Sequence, residues 1–385
     1  MRLDDLKTPA LILDRGVLAR NCRAMAARMA GHGVRLRPHL KTAKSAQVAE
    51  LATAGQFGGI TVSTLAEARY FAAAGFRDIT YAVGIVPGKL DEVAALQRDG
   101  ARLTLIADTL EAVAGAAERA AALGAEFRLL VEVDTGGLRG GVAPDSPELV
   151  ALGRAIEAAP GLSLDGVLTH AGQSYHCRGA AAIREVAEAE RAGITLAARR
   201  LREAGLPCPV VSAGSTPSAV HAERLEGVTE MRPGVYVFFD LDQVGIGACV
   251  LEDIAVSVLA SVIGHNRRAG RVLVDAGALA LSKDVSAGEF LPDVGYGLVC
   301  PAGSTEPITG PMTGPITGLH VAEVHQEHGL VAAGDGAPLY DALPIGAKVR
   351  ILPNHACITA AAHGSYHVVE GGSEVVDQWD RCGGW

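Results

Sequence analysis

The sequence predicts an α/β protein: a (β/α)8 barrel of the TIM type followed by a C-terminal all-β domain. Three observations lead there. Short β-prone runs alternate with Ala- and Leu-rich helical stretches over about the first 245 residues, the pattern of repeated βα units. Beyond about residue 247 the chain stays β-prone but loses its helical periodicity. A length of 385 residues exceeds one ordinary domain and suits a barrel with an appendage.

The expected barrel strands are Val34–His39, Gly59–Ser63, Asp78–Val83, Arg102–Ala107, Phe127–Asp134, Leu164–His170, Pro209–Ala213 and Thr229–Met231. Helical stretches such as Thr109–Leu123, Glu148–Ala158 and Ala180–Ala204 lie between them. An open doubly wound sheet uses the same alternation; the count of eight favours the barrel. The barrel is expected over residues 12–246 and the β domain over 247–385, joined by residues 1–11. Strands of the second domain are expected at Val250–Val262, Arg271–Asp275, Gly318–His325 and Ala347–Leu352. From Glu306 to Gly318 a Pro/Ile-Thr-Gly unit repeats too briefly for a solenoid and reads as a surface hairpin or loop.

Composition narrows the function classes. The chain is 49% hydrophobic and 20% charged, and no apolar run approaches the roughly 18 residues of a membrane span. The charged N-terminus lacks a secretory pattern, so a cytoplasmic protein is expected. Seven cysteines without framework spacing are expected as thiols. A net charge of −9 with no basic cluster argues against nucleic acid and for a small-molecule ligand.

Five segments carry chemistry. The first strand delivers Arg37-Pro-His-Leu-Lys41 toward the catalytic face of a barrel, where Lys41 is either a Schiff-base amine or a salt-bridged lysine. Lys44 competes with it, placed in the first helical turn. After strand seven, Gly214, Ser215 and Thr216 form a loop that, with Gly234 after strand eight, reads as a phosphate cup or as an ordinary Gly/Ser turn. A lysine and a phosphate cup together suggest pyridoxal phosphate. Strand six ends at His170, Gln173 and Tyr175, of which His170 or Tyr175 would stack on or hydrogen-bond a cofactor ring, or be buried structurally. Strand five leads to Arg139, a fork for a substrate carboxylate or a surface ion pair. Near the C-terminus, His355-Ala-Cys357 would in a strand place an imidazole and a thiolate on one face, within reach of one soft divalent ion.

Taken together these residues resemble the fold-type III pyridoxal-phosphate enzymes, in which a barrel like the alanine racemase N-terminal domain is joined to a β domain. Within that group the resemblance is to D-serine dehydratase and D-threonine aldolase-like proteins. It is carried by Arg37–Ser45, Gly59–Leu65, Val167–Gly172, Gly205–Ser212, Gly234–Asp240, Gln326–Gly329 and Pro353–Cys357, nearly end to end. It implies that Lys41 carries the cofactor, that Gly214, Ser215, Thr216, Gly234 and Tyr236 bind its phosphate, and that His355 and Cys357 hold the metal. Arg139 and Gln173 are the substrate-binding candidates. The implied reaction is β-elimination of water from a D-3-hydroxy amino acid (D-threo-3-hydroxyaspartate, D-serine or D-threonine), giving a 2-oxo acid and ammonia. Lys41 would take the Cα proton, and Zn²⁺, Mn²⁺ or another divalent ion would assist the leaving hydroxide. A homodimer is implied. Retro-aldol cleavage is the main alternative, but the aldolases carry Asp where this chain has Cys357. A non-catalytic cofactor carrier would not need the metal-bearing domain.

Overall fold

A computed structural model of the chain describes residues 1–137, 139–302, 319–332 and 339–385. The repeat expected from 306 to 318 lies outside them. The chain divides into two compact units, Ala24–Gly234 with Cys382–Trp385, and Met1–Arg23 with Val235–Arg381.

The first unit is the barrel. Its eight parallel strands are Arg35–Leu36, Ile60–Val62, Asp78–Gly84, Arg102–Ala107, Phe127–Glu132, Leu162–Leu168, Val210–Ala213 and Glu230–Met231. The sheet runs from the first strand through the eighth and back down in order to the second. A bridge between His39 and Thr61 joins its two edges: Leu40 N–H donates to Thr61 O at 2.9 Å, and Thr61 N–H to Pro38 O at 2.8 Å. All eight expected runs are therefore strands. The first is cut to two residues because Pro38 has no N–H to give the ladder. Helices follow the caps written into the sequence. Thr109 accepts from Ala112 N–H at the start of Leu110–Leu123, which ends at a left-handed Gly124. Ser146 caps Pro147–Ala158, with proline in the first turn.

One glycine sets how closely two strands approach. Gly166 has φ of +136°, and a Cβ there would overlap the carbonyl oxygen of Val210 on the neighbouring strand. Opposite it, a bulge between Leu129 and Leu130 leaves Asp165 out of the ladder, and Arg128 Nε donates to its carboxylate at 2.7 Å. Gly166→Ala is expected to destabilise the barrel by at least about 2 kcal/mol, seen as a lower thermal midpoint.

The second unit is all-β around short helices. Strand Val256–Asn266 pairs antiparallel with Arg271–Val274, with Lys348–Leu352 and with Ala10–Asp14. Arg271–Val274 continues through Gly329–Ala332, His320–Val324 and Leu298–Pro301 back to Lys348–Leu352, so six strands close on themselves. Ala10–Asp14 carries the sheet on to Ser365–Val369 and Val375–Asp380. Leu3, Leu6, Ala10, Ile12, Leu259 and Val369 form a buried cluster under that edge. The expected strand at Val250–Val262 begins six residues late, after the turn Leu251–Asp253. Among the described residues no helix is long and apolar enough to cross a membrane.

Candidate active site

The barrel mouth gathers most of the expected residues. Lys41 is exposed in the loop after the first strand, and among the described residues its amine forms no ion pair. Lys44 is committed elsewhere: it precedes helix Ala46–Thr53 rather than lying in its first turn. It adopts a left-handed φ of 50°, and its ammonium lies 3.2 Å from the buried carboxylate of Glu67. That pairing leaves Lys41 as the candidate amine. Burial, then the charges of Lys41, Arg232, His170 and Arg139, push the pKa of His39 well below the usual histidine range, which places these five groups in one electrostatic neighbourhood.

His170 is half-buried, with Nδ1 3.2 Å from the carbonyl of Gly214. The carbonyl can only accept, so Nδ1 carries the proton and Nε2 of the neutral ring keeps its lone pair. Burial, then Arg139 and Lys41, lower its pKa to about 3. The Tyr175 ring, on the turn Gly172–His176, lies 6.3 Å from that of His170 at 44°. A cavity of about 170 Å³ is walled by Glu132, Asp134, Arg139, His170 and Gln173; Lys41 is not among its walls. Gln173 Nε2 donates to Thr135 O at 3.2 Å, and its buried Oε1 has no partner among the described residues. Arg139 is exposed at the edge of this cavity. Burial, then the charge of Asp108, raises the pKa of Glu132.

The two histidines contribute one part of the acid response of the barrel. Their folded pKa values lie below the ordinary 6.5, so the unfolded chain takes up protons that the folded chain refuses. Their contribution to stability is therefore full above pH 6.5 and declines from there toward about pH 3, the value for His170. The slope is at most about 1.4 kcal/mol per pH unit for each ring, and less because both keep some contact with solvent. Urea midpoints measured between pH 7.5 and 4.5 check this.

The phosphate-cup segment is built differently from the sequence expectation. Gly214 N–H donates to Glu190 Oε1 at 2.9 Å, and Ser215 N–H to Ser218 Oγ at 2.9 Å, so neither amide is spare for an anion. Ser215 is instead the N-cap of Thr216–His221, in a reciprocal capping box with Ser218. The two glycines of this segment let the chain pack closely on itself. A Cβ on Gly234 would lie 2.9 Å from His39 O, one on Gly214 2.8 Å from Met231 Cε, and Gly234 N–H donates to Thr216 Oγ1 at 3.3 Å. The buried hydroxyls of Ser215 and Thr216 and the nearby cations Arg139, Lys41 and Arg232 suit a phosphorylated aldehyde.

Two buried charges are missing from the sequence reading. Arg232 donates to Ser212 Oγ at 2.6 Å and to Thr169 O, and burial lowers its pKa to about 10. Glu190 accepts at one oxygen from both Gly214 N–H and Ala171 N–H, the latter at 2.8 Å, and burial raises its pKa. A signal for Glu190 existed: it falls in the apolar register of helix Ala180–Glu203, between Ile183, Ala187 and Ile194.

Tyr236, His355 and Cys357 belong to the β unit. Tyr236 is fully buried on the turn Val235–Val237, and burial pushes its phenol pKa up. The expectation of a strand at His355-x-Cys357 is wrong. Strand Lys348–Leu352 stops before Pro353, and His355 is the N-cap of helix Ala356–Ala361, with Cys357 in its first turn. The two side chains meet nonetheless, because an extended N-cap residue and the second helical residue can fold over the same helix end. The His355 ring hydrogen-bonds both Asp284, at 2.9 Å from Nδ1, and the Cys357 thiol. Burial lowers its pKa, but these two partners outweigh it and carry it to about 11. Asp240, fully buried, accepts from Ala356 N–H at 2.9 Å and Gln243 N–H at 3.0 Å; burial raises its pKa to about 7. An imidazole and a thiol held together at a helix start are a donor set for a borderline-soft divalent ion.

Residues 13–242 match the alanine racemase N-terminal domain, and residues 255–369 a putative serine dehydratase domain. Fold and site thus define a pyridoxal-phosphate-dependent lyase built on an alanine-racemase-type barrel. The chain belongs to the family that joins this barrel to a D-serine dehydratase domain. It is 46% identical, over 99% of its length and 98% of the relative, to D-threo-3-hydroxyaspartate dehydratase of Delftia sp. (strain HT23). It is 30% identical, over 100% of its length and 98% of the relative, to D-serine dehydratase of Dictyostelium discoideum. The solved structure of the Delftia enzyme superposes with a TM-score of 0.94 at 45% identity, covering all of both chains. A cysteine-to-alanine mutant of that enzyme, solved in a metal-free form, gives the same TM-score of 0.94 over all of both chains at 46% identity.

Proposed function

We propose that the chain removes water from a D-3-hydroxy amino acid, with D-threo-3-hydroxyaspartate as the first candidate, to give a 2-oxo acid and ammonia. The observation that carries this reading is the pairing of His355 with a cysteine: a thiolate and an imidazole favour Zn²⁺, where a carboxylate in place of Cys357 would favour a harder ion. The ion so held supplies a Lewis acid for hydroxide, a poor leaving group. Pyridoxal phosphate, when bound, supplies the sink for the electrons left at Cα.

The chain's own groups do the rest. Lys41 would hold the cofactor, and its amine would take the Cα proton. His170 and Tyr175 flank the ring, with Nε2 of His170 neutral at working pH. Ser215 and Thr216 would meet the phosphate through their hydroxyls, with Gly214, Gly234 and Tyr236 on the same segments. Arg139 forks a substrate carboxylate at the cavity edge, and Gln173, whose Oε1 has no partner among the described residues, binds the substrate on the same wall. The working form is a cytoplasmic homodimer.

The test is a panel of D- and L-3-hydroxy amino acids assayed for ammonia and 2-oxo acid, with and without chelator and Zn²⁺. Equal yields of ammonia and 2-oxo acid from D-substrates alone are expected. Release of glycine and an aldehyde without ammonia would replace elimination by retro-aldol cleavage.

A further inference from the structure

We propose that Asp284 is the positioning residue of the metal site, holding the His355 ring so that Nε2 presents its lone pair to the ion. This rests on the metal reading above. Asp284 Oδ2 lies 2.9 Å from Nδ1 of His355. A carboxylate can only accept, so Nδ1 carries a hydrogen, and Nε2 is the ring atom left to face a metal.

The carboxylate is itself fixed by its own turn. Ser286 N–H donates to Asp284 Oδ1 at 2.8 Å, and Asp284 N–H donates to Ser282 Oγ at 3.2 Å. One oxygen thus serves the turn and the other the imidazole. The backbone at His355 is anchored independently, since Asp240 holds the amide of Ala356 at the head of the following helix. The ring torsion is the freedom left over, and Asp284 removes it. Carboxylate partners of this kind fix ring tautomer and orientation, and losing one typically weakens metal affinity 10- to 100-fold.

The experiment uses the cofactor-loaded enzyme stripped of metal and titrated with Zn²⁺ against a chromophoric chelator, for wild type, Asp284→Ala and Asp284→Asn. In the alanine variant the zinc dissociation constant is expected to rise about 10- to 100-fold. The asparagine variant keeps an accepting oxygen and is expected to lose less. Cofactor absorbance is expected to stay at the wild-type value. Wild-type zinc affinity in Asp284→Ala overturns the proposal alone, as does an equal loss in both variants, which would make Asp284 a direct ligand. A fall in metal-free melting temperature together with cofactor content overturns it in favour of a general structural role. A wild-type enzyme that takes up no zinc overturns the metal reading and this inference with it.

Discussion

Lys41→Ala is expected to abolish turnover, with formation of 2-oxo acid falling by a factor of about 10⁴ or more. One amine is asked to do two things, to hold the cofactor covalently and to carry the Cα proton, and general-base catalysis alone commonly contributes 10²- to 10⁴-fold. The fold should not suffer, because Lys41 is exposed and, among the described residues, forms no ion pair. Far-ultraviolet circular dichroism and the melting temperature are therefore expected to match the wild type, and a small primary amine in the buffer should restore part of the activity. Lys44→Ala is the matching control with the opposite signature. It strands the Glu67 carboxylate, which is 1% exposed, so it should cost about 1–3 kcal/mol of stability while leaving the chemistry in place. An active Lys41→Ala enzyme would reassign the amine.

The second large effect is expected at Cys357. Removing the ion with a chelator, or its sulfur ligand in Cys357→Ala, takes away the acid that assists hydroxide departure. A Lewis acid stabilises developing charge by several kcal/mol, so a loss of about 10³-fold in kcat is expected, with cofactor binding unchanged. Zinc should restore the chelated wild type and not the variant. Cys357→Asp should recover some activity with Mn²⁺ in preference to Zn²⁺, because a carboxylate prefers the harder ion. Glycine and aldehyde assays on that variant report whether the ligand change also moves the bond that breaks. Elimination that persists after complete metal removal would show that hydroxide leaves without a metal.

Much of the architecture was legible because its cues are local. Eight β runs spaced by helices define a barrel by count, and the helical stretches expected from Thr109 and Glu148 begin within a residue of the observed Leu110 and Pro147. Lys41, His170 and Gly214 were legible for a related reason: in a barrel, chain position at a strand end fixes which face a residue reaches. Failures came where a distant partner decides. The amide of Gly214 is taken by Glu190, 24 residues away, and that of Ser215 by Ser218 in the capping box of its own helix. His355 and Cys357 were paired correctly but through the wrong backbone, since Pro353 ends the strand and a helix begins at once. Asp284 carries no sequence signal: it sits in a short polar turn, 71 residues from the ring it contacts.

The single oxygen of Glu190 that accepts from both Ala171 and Gly214 joins two loops that combinatorial design would treat as separate modules. His170 closes the same circuit from its own side by meeting the carbonyl of Gly214. A loop taken from a relative to retune substrate choice after strand six will arrive without its anchor unless its counterpart after strand seven travels too. Evolution and engineers alike must exchange the pair as one cassette, with Glu190 retained beneath it.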